Sequence, residues 1–249
     1  MALCVHITSG GRQTKFPLLR RSNLPAAPGV IFCMDIKMDN RRIINHIVKP
    51  WVQLNFGLAQ PLALQPEQSD FIQKAESLSV FISHFPESVG LARADYDKKS
   101  KPNSVITDVA DSSKHINLSN PKRQSKLFIT ADFEFKISDT GITSFKFIRN
   151  FININHATHG EIDFMEYSKD AIDYILRINS ISVTPFGPVL ESQGVYEDTV
   201  KIDYDPSYGA NMNQVVFRFK TLNKSGDLVV QDPPNGFSFS MRDLSKIKQ

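Results

Sequence analysis

The sequence predicts an α+β, β-rich fold built on a mostly antiparallel sheet with two or three helices. Two observations carry this expectation. From Leu127 onward, short runs of alternating apolar and polar residues are separated by turn signals at Asp139-Thr140-Gly141, Asn223-Lys224-Ser225-Gly226 and Asp232-Pro233-Pro234-Asn235-Gly236. Consecutive strands joined this tightly pair antiparallel. Neither a Gly-x-Gly-x-x-Gly nor a phosphate-loop motif occurs in the chain, so nothing points to a parallel nucleotide-binding sheet.

Taken in order, residues 1–34 contain Arg12, Lys15, Arg20 and Arg21 with no acid, and they carry both cysteines, Cys4 and Cys33. Gly10-Gly11, Pro17, Pro25 and Pro28 interrupt any helix there. The segment reads as a disordered arm, or as chain upstream of a start at Met34 or Met38. Residues 35–92 read as an α/β part. A short helix with Ile43, Ile44, Ile47 and Val48 on one stripe ends at Pro50. A strand with alternating Val52, Leu54, Phe56 and Leu58 follows. A second helix, capped by Ser69 or Asp70, carries Phe71, Ala75, Leu78, Ile82 and Phe85 and stops at Pro86.

Residues 93–126 are rich in Ser, Lys, Asp and Asn with little apolar periodicity, and they read as a flexible loop or linker. The β-rich part, 127–245, is expected to form one compact domain with 35–92. Its hairpin spans 127–154, and further strands are expected at 180–185, 195–204, 214–222, 227–231 and 236–241. A helix over 168–179, capped by Ser168, would bury Ala171, Ile172, Ile175 and Leu176. In the hairpin, a three-residue turn with Gly141 left-handed sets Phe135 against Phe145 and Phe133 against Phe147. It also sets Glu134 against Lys146, Lys136 against Ser144, Thr130 against Asn150 and Ile129 against Phe151. Ala131 opposite Arg149 is the one mismatch on the apolar side.

Composition bounds the function classes. Hydrophobic residues make up 41% and charged residues 22%, the balance of a soluble globular protein, and no apolar run is long enough to span a membrane. The 18 Phe stand against a single Trp, which reads as core material because Phe has no polar handle. The net charge of +3 comes from residues 1–34, which carry +4 and leave −1 on the rest, so the basic pI does not mark the body as a nucleic-acid binder. A body without cysteine after Cys33 has no disulfide framework or thiolate metal site, and it suits a cytoplasmic setting.

Three constellations are chemical candidates. Asp132-x-Glu134-x-Lys136 lies within LFITADFEFKIS. Two carboxylates holding Mg²⁺ or Mn²⁺ beside a lysine near the scissile phosphate is the arrangement of metal-dependent nucleases and phosphodiesterases. The upstream Pro-Asp that usually accompanies it is missing, and a cross-strand pair with Lys146 gives Glu134 a purely structural role. His156, His159 and Glu161 would form a metal site, but no fourth ligand is evident. Lys98, Lys99, Lys101, Lys122 and Arg123 would reach the phosphates of a nucleic acid, diluted by Asp95, Asp97, Asp108 and Asp111. Glu197, Asp198, Asp203 and Asp205 read as a solvated acidic patch. No nucleophile elbow is present. The chain therefore reads as a non-enzymatic protein that binds a protein partner or assembles with itself, with the metal-dependent nuclease as the alternative.

Overall fold

The structure is a computed structural model. It describes residues 40–60, 63–64, 67–141, 143–181, 187–204, 215–232, 237–243 and 246. The arm at 1–34, Met34, Met38, both cysteines, Asp205 and most of the strand expected at 180–185 lie outside the described residues.

The fold is α+β, with more helix than the sequence suggested. Helix α1 (residues 40–58) comprises Asn40–Ile43, a π-helical stretch Ile44–Val48 and Lys49–Leu58. It is followed by β1 (Ala63–Leu64), α2 (Glu67–Ser88), α3 (Arg93–Lys99) and α4 (Lys101–Lys114). A 3₁₀ turn, Pro121–Arg123, leads into β2 (Ser125–Ile137), β3 (Thr143–His156), β4 (Gly160–Asp163) and α5 (Phe164–Ile178). β5 (Val200–Tyr204), β6 (Val215–Leu222), β7 (Leu228–Gln231) and β8 (Phe239–Asp243) complete the order.

Five expectations about helices are corrected. Pro50 does not end α1; it falls where the π-helical stretch passes into Lys49–Leu58, in the first turn of that segment. The π stretch just before it closes with Lys49 N–H on the Ile44 carbonyl. The residues expected as a strand are helical, and Trp51, Leu54, Asn55 and Leu58 are buried at helical spacing while Val52 and Phe56 are exposed. The loop expected at 93–126 contains two helices. Ser100 caps α4 by accepting from Asn103 N–H, and Val105, Ile106, Val109 and Ala110 form its apolar stripe. Helix α2 likewise runs through Pro86 and begins at Glu67 rather than at a cap on Ser69 or Asp70. In α5 the cap is Asp163, which accepts from Met165 and Glu166 N–H. Ser168 instead lies buried inside the helix, where it accepts from Trp51 Nε1 at 3.0 Å. Ala171, Ile172, Ile175 and Leu176 are buried as expected.

The sheets are mixed, not mostly antiparallel. The larger has the order β4-β3-β2-β6-β7, in which β2 and β6 run parallel and the other neighbours antiparallel. The smaller, β1-β5-β8, is parallel throughout. The turn signals located strand ends but not partners: the segments between β4 and β6 and between β7 and β8 are long enough to reorder them. Residues 195–199, expected as strand, form only a bridge between Glu197 and Phe145.

The hairpin register holds as far as Phe147. Phe135 faces Phe145, Phe133 faces Phe147, Glu134 faces Lys146 and Lys136 faces Ser144, and Gly141 has a left-handed φ of 78°. Ile148 is then an extra residue with no partner, a β-bulge that advances the rest by one position. Ile129 consequently faces Ile152, Thr130 faces Phe151, and Arg149 leaves Ala131 for Asp132. The bulge removes the mismatch: Ile152 and Ile154 now join Ile129 on the helix-covered side, within a core shared with Trp51, Ile106, Phe164 and Ile172. Further along the same face of β2, Phe133, Phe135, Phe145, Phe219 and Val200 form a second apolar cluster.

Candidate functional site on the polar face of the sheet

The opposite face of β2 carries Thr130, Asp132, Glu134 and Lys136, because alternate residues of a strand share a side. Register places each acid between two cations. Asp132 lies between Arg149 on β3 and Arg218 on β6, and Glu134 lies between Lys146 on β3 and Lys220 on β6. The three residues singled out in the sequence are thus brought together, but inside a lattice of bases contributed by distant segments.

The side chains resolve this lattice into specific pairs. Asp132 is 1% exposed; its Oδ2 is 2.6 Å from Lys220 Nζ, and its Oδ1 accepts from Thr130 Oγ1 at 2.9 Å. Asn153 Nδ2 donates to the same threonine hydroxyl at 3.0 Å. The Lys220 ammonium stands over the Phe151 ring, 4.7 Å from its centroid, a further stabilising position for a cation. Arg218 forms a two-pronged ion pair with Glu161 and sits over Phe128. At the rim, Lys136 Nζ is 3.7 Å from Glu134 and 4.0 Å from the centre of the Tyr196 ring. The hydrogen bond to Tyr196, with the nearby Glu134 charge, holds the Lys136 ammonium above its ordinary pKa.

Arg149 is the unusual member. It is 1% exposed and enters no ion pair among the described residues. Its Nε donates to the Asn150 carbonyl at 3.0 Å, its Nη1 donates to the Leu190 carbonyl at 2.9 Å and reaches Asn55 Oδ1 at 3.5 Å, and its Nη2 has no hydrogen-bond partner. Burial lowers its pKa, opposed by the fields of Asp163, Glu166, Glu191 and Asp132. Burial raises the pKa of Asp163 in turn, against the pull of Arg149 and of the Met165 and Glu166 amides. Sequence reading missed Arg149, Arg218 and Lys220, although Arg149 left a signal as the mismatch in an otherwise regular hairpin.

For the three histidine-region candidates the geometry is equally definite. His156 Nδ1 accepts from Thr158 and His159 N–H at 3.0 and 3.2 Å. The proton therefore belongs on Nε2, which donates to Asp108 Oδ2 at 3.1 Å. Both ring nitrogens of this buried histidine are engaged by protein groups. His159 stacks on it with centroids 4.7 Å apart, while Glu161 is turned to Arg218. Among the described residues no three His, Cys, Asp or Glu are placed to hold a metal. Asp108 also accepts from Arg123 Nε at 2.5 Å, and Asp111 accepts from Arg123 Nη2 at 2.7 Å and Arg93 Nη1 at 3.3 Å.

Laterally the polar face changes character. Val216, Arg218, Lys220 and Leu222 share one side of β6, and pairing adds Val230 opposite Lys220 and Leu228 opposite Leu222. Val216, Leu222, Leu228 and Val230 are all exposed, Val230 by 63%. Among the described residues β7 pairs with β6 alone, and a depression of about 500 Å³ opens beside Val230, Gln231 and Asp232. Among the described residues no helix is long and apolar enough to cross a membrane. No protein-family model, curated protein or solved structure matches the chain.

Proposed function

We propose that this is a non-enzymatic binding protein that receives an extended segment of a protein partner along β7, adding it as a strand to the five-stranded sheet. The observation that carries the reading is the uncovered β6–β7 pair, with Val230, Leu228, Leu222 and Val216 exposed on one side. Isolated edge strands invite pairing, and proteins ordinarily blunt them with a lysine, a proline or a bulge. The strand Leu228-Val229-Val230-Gln231 has none of these. Backbone hydrogen bonds would supply affinity, and apolar side chains at alternate positions would meet the exposed valines and leucines. The acids of the polar face, by contrast, are occupied by Lys220, Arg218 and Lys136, which supports recognition rather than metal chemistry.

Charge favours a different chain over a second copy. Asp227 and Asp232 flank β7, both exposed. A centred antiparallel pairing of two copies sets Asp227 of each opposite Asp232 of the other, and like charges directly opposed destabilise a sheet. A partner strand with Lys or Arg at its ends meets the same two acids favourably.

A displayed library of short linear peptides tests the reading. Enriched binders are expected to alternate apolar residues and to end in Lys or Arg. Binding is expected to be lost in Val230→Lys and retained in Val52→Lys, an exposed valine on α1. Absence of such a class, or equal binding by both variants, sinks the proposal. Concentration-dependent dimerisation abolished by Val230→Lys would assign the edge to a second copy instead.

A further inference from the structure

Lys114 apart, whose Nζ meets His84 Nε2 at 2.7 Å, the basic residues of α3, α4 and the 3₁₀ turn divide into two kinds. Arg93 and Arg123 are consumed internally, holding Asp108 and Asp111 against the sheet, and Asp97 is drawn inward by Thr107 Oγ1 at 3.0 Å. The acids that dilute the charge of this segment in the sequence are thus largely withdrawn from the surface. Lys98, Lys99, Lys101 and Lys122 are exposed and form no ion pair among the described residues.

The fold gathers these four. Lys98 and Lys99 end α3, and Lys101 begins α4 one residue later. Lys122 lies on the 3₁₀ turn, whose backbone carbonyl accepts from Thr158 Oγ1 at 2.7 Å. That contact ties the turn to the β3–β4 connection, where His159 is found. His156, at the head of that connection, donates from Nε2 to Asp108 of α4 at 3.1 Å, so the connection packs beside the helix that Lys101 begins; burial, and secondarily the Lys101 charge, push His159 below its ordinary pKa. Lys98, Lys99 and Lys101 adjoin the first turn of α4 in the chain, where the side-chain amide of Asn103 is buried and its Nδ2 has no hydrogen-bond partner. Helix N-termini carry partial positive charge of the same sign as the lysines.

We propose that Lys98, Lys99, Lys101 and Lys122 form a binding surface for the backbone phosphates of a nucleic acid, separate from the β7 edge. Arg123, which the sequence grouped with them, is not part of it, because its guanidinium is engaged by Asp108 and Asp111. Of Phe, Tyr and Trp, the elements that carry the cluster (α3, α4 and the 3₁₀ turn) hold Tyr96 alone, and it is buried, so the contact reads backbone charge and not bases.

Each neutralised phosphate on duplex DNA contributes about −0.9 to the slope of log K against log salt, so four lysines give roughly −3.6. The experiment measures anisotropy of a labelled mixed-sequence DNA duplex between about 50 and about 200 mM salt. The protein is expected to bind with that slope. Changing all four lysines to serine is expected to weaken binding at least about tenfold and to flatten the slope to below about 1. The same change at Lys49, Lys74, Lys224 and Lys246 alters net charge equally and is expected to leave both nearly unchanged. Equal loss in the two variants, or no binding at the lowest salt, overturns the proposal. So does binding to phosphatidylserine vesicles without binding to the duplex. The β7 reading is untouched by any of these results, since Val230→Lys lies outside the cluster.

Discussion

Lys220 Nζ lies 2.6 Å from Asp132 Oδ2, and the carboxylate it meets is almost wholly shielded from solvent. The two residues come from strands that run parallel and are separated by a long stretch of chain. Removing the lysine leaves a buried carboxylate whose remaining hydrogen bond, among the described residues, is to the Thr130 hydroxyl. Lys220→Met is therefore expected to cost about 3–5 kcal/mol, the range for a buried charge stripped of its partner. Asp132→Ala is expected to cost less, because Lys220 is partly exposed and can turn to water. The double variant should recover most of the loss of Lys220→Met. Urea denaturation of the four proteins gives the coupling directly, and additive losses would show that the pair is not the anchor of this face.

Gly141 is the one turn residue whose conformation the sequence specified and whose surroundings are open. Its φ is 78° and a Cβ there meets nothing within 4 Å. Gly141→Ala thus isolates the backbone term, about 1 kcal/mol, and Gly141→Asn should cost less because Asn tolerates the left-handed region. Thermal or urea unfolding measures both. A much larger loss would mean that the turn changes register, displacing Phe133 from Phe147.

What could be read from the sequence followed the range of the interactions concerned. The hairpin was legible from Lys136 to Phe147, because a local turn and alternating phenylalanines determine it. It became illegible at Ile148, since a bulge is chosen by what Arg149 and Ile152 meet across the fold. Val52, Leu54, Phe56 and Leu58 satisfy period two, yet Trp51, Leu54, Asn55 and Leu58 satisfy the helical period equally, and only burial against α5 decides between them. Helix α4 was hidden because Asn103, Thr107 and Asp108 are polar and nevertheless buried. At the candidate site, Asp132 and Glu134 were visible as a motif. Arg149, Arg218 and Lys220 acquire meaning only through the bulge and the parallel β2–β6 pairing, neither of which has a local signature.

Asp163 links stability to pH with a definite sign. Burial raises its carboxyl above the usual 3.8 despite the opposing field of Arg149. A raised folded-state pKa means that the native protein holds this proton more tightly than the unfolded chain does. The resulting stability is present below 3.8 and is lost as pH rises through the folded value. Asp163→Asn keeps an oxygen for the Met165 and Glu166 amides but cannot ionise. Its stability relative to the parent is expected to improve between about pH 3 and about pH 7, as urea midpoints at the two ends would record. The reverse trend would mean that the Asp163 charge compensates Arg149 more than burial penalises it.

Asn55 fastens the segment that covers Arg149. Its Oδ1 accepts from Leu190 N–H at 3.0 Å and is reached by Arg149 Nη1 at 3.5 Å, and its Nδ2 donates to the Pro188 carbonyl at 3.0 Å. Asn55→Ala deletes all three contacts at a buried position and leaves Arg149 with two backbone acceptors. The expected cost is about 2–3 kcal/mol, counting about 1 for each well-formed bond and more for the groups left unsatisfied. The effect should be local. Amide exchange is expected to accelerate at Leu190, while protection in β6 stays unchanged, because those amides bond within the sheet. Unchanged protection at Leu190 would mean that Ser192 N–H on the Ile148 carbonyl, at 2.7 Å, holds the segment unaided. In that case the bulge, rather than helix α1, keeps Arg149 buried.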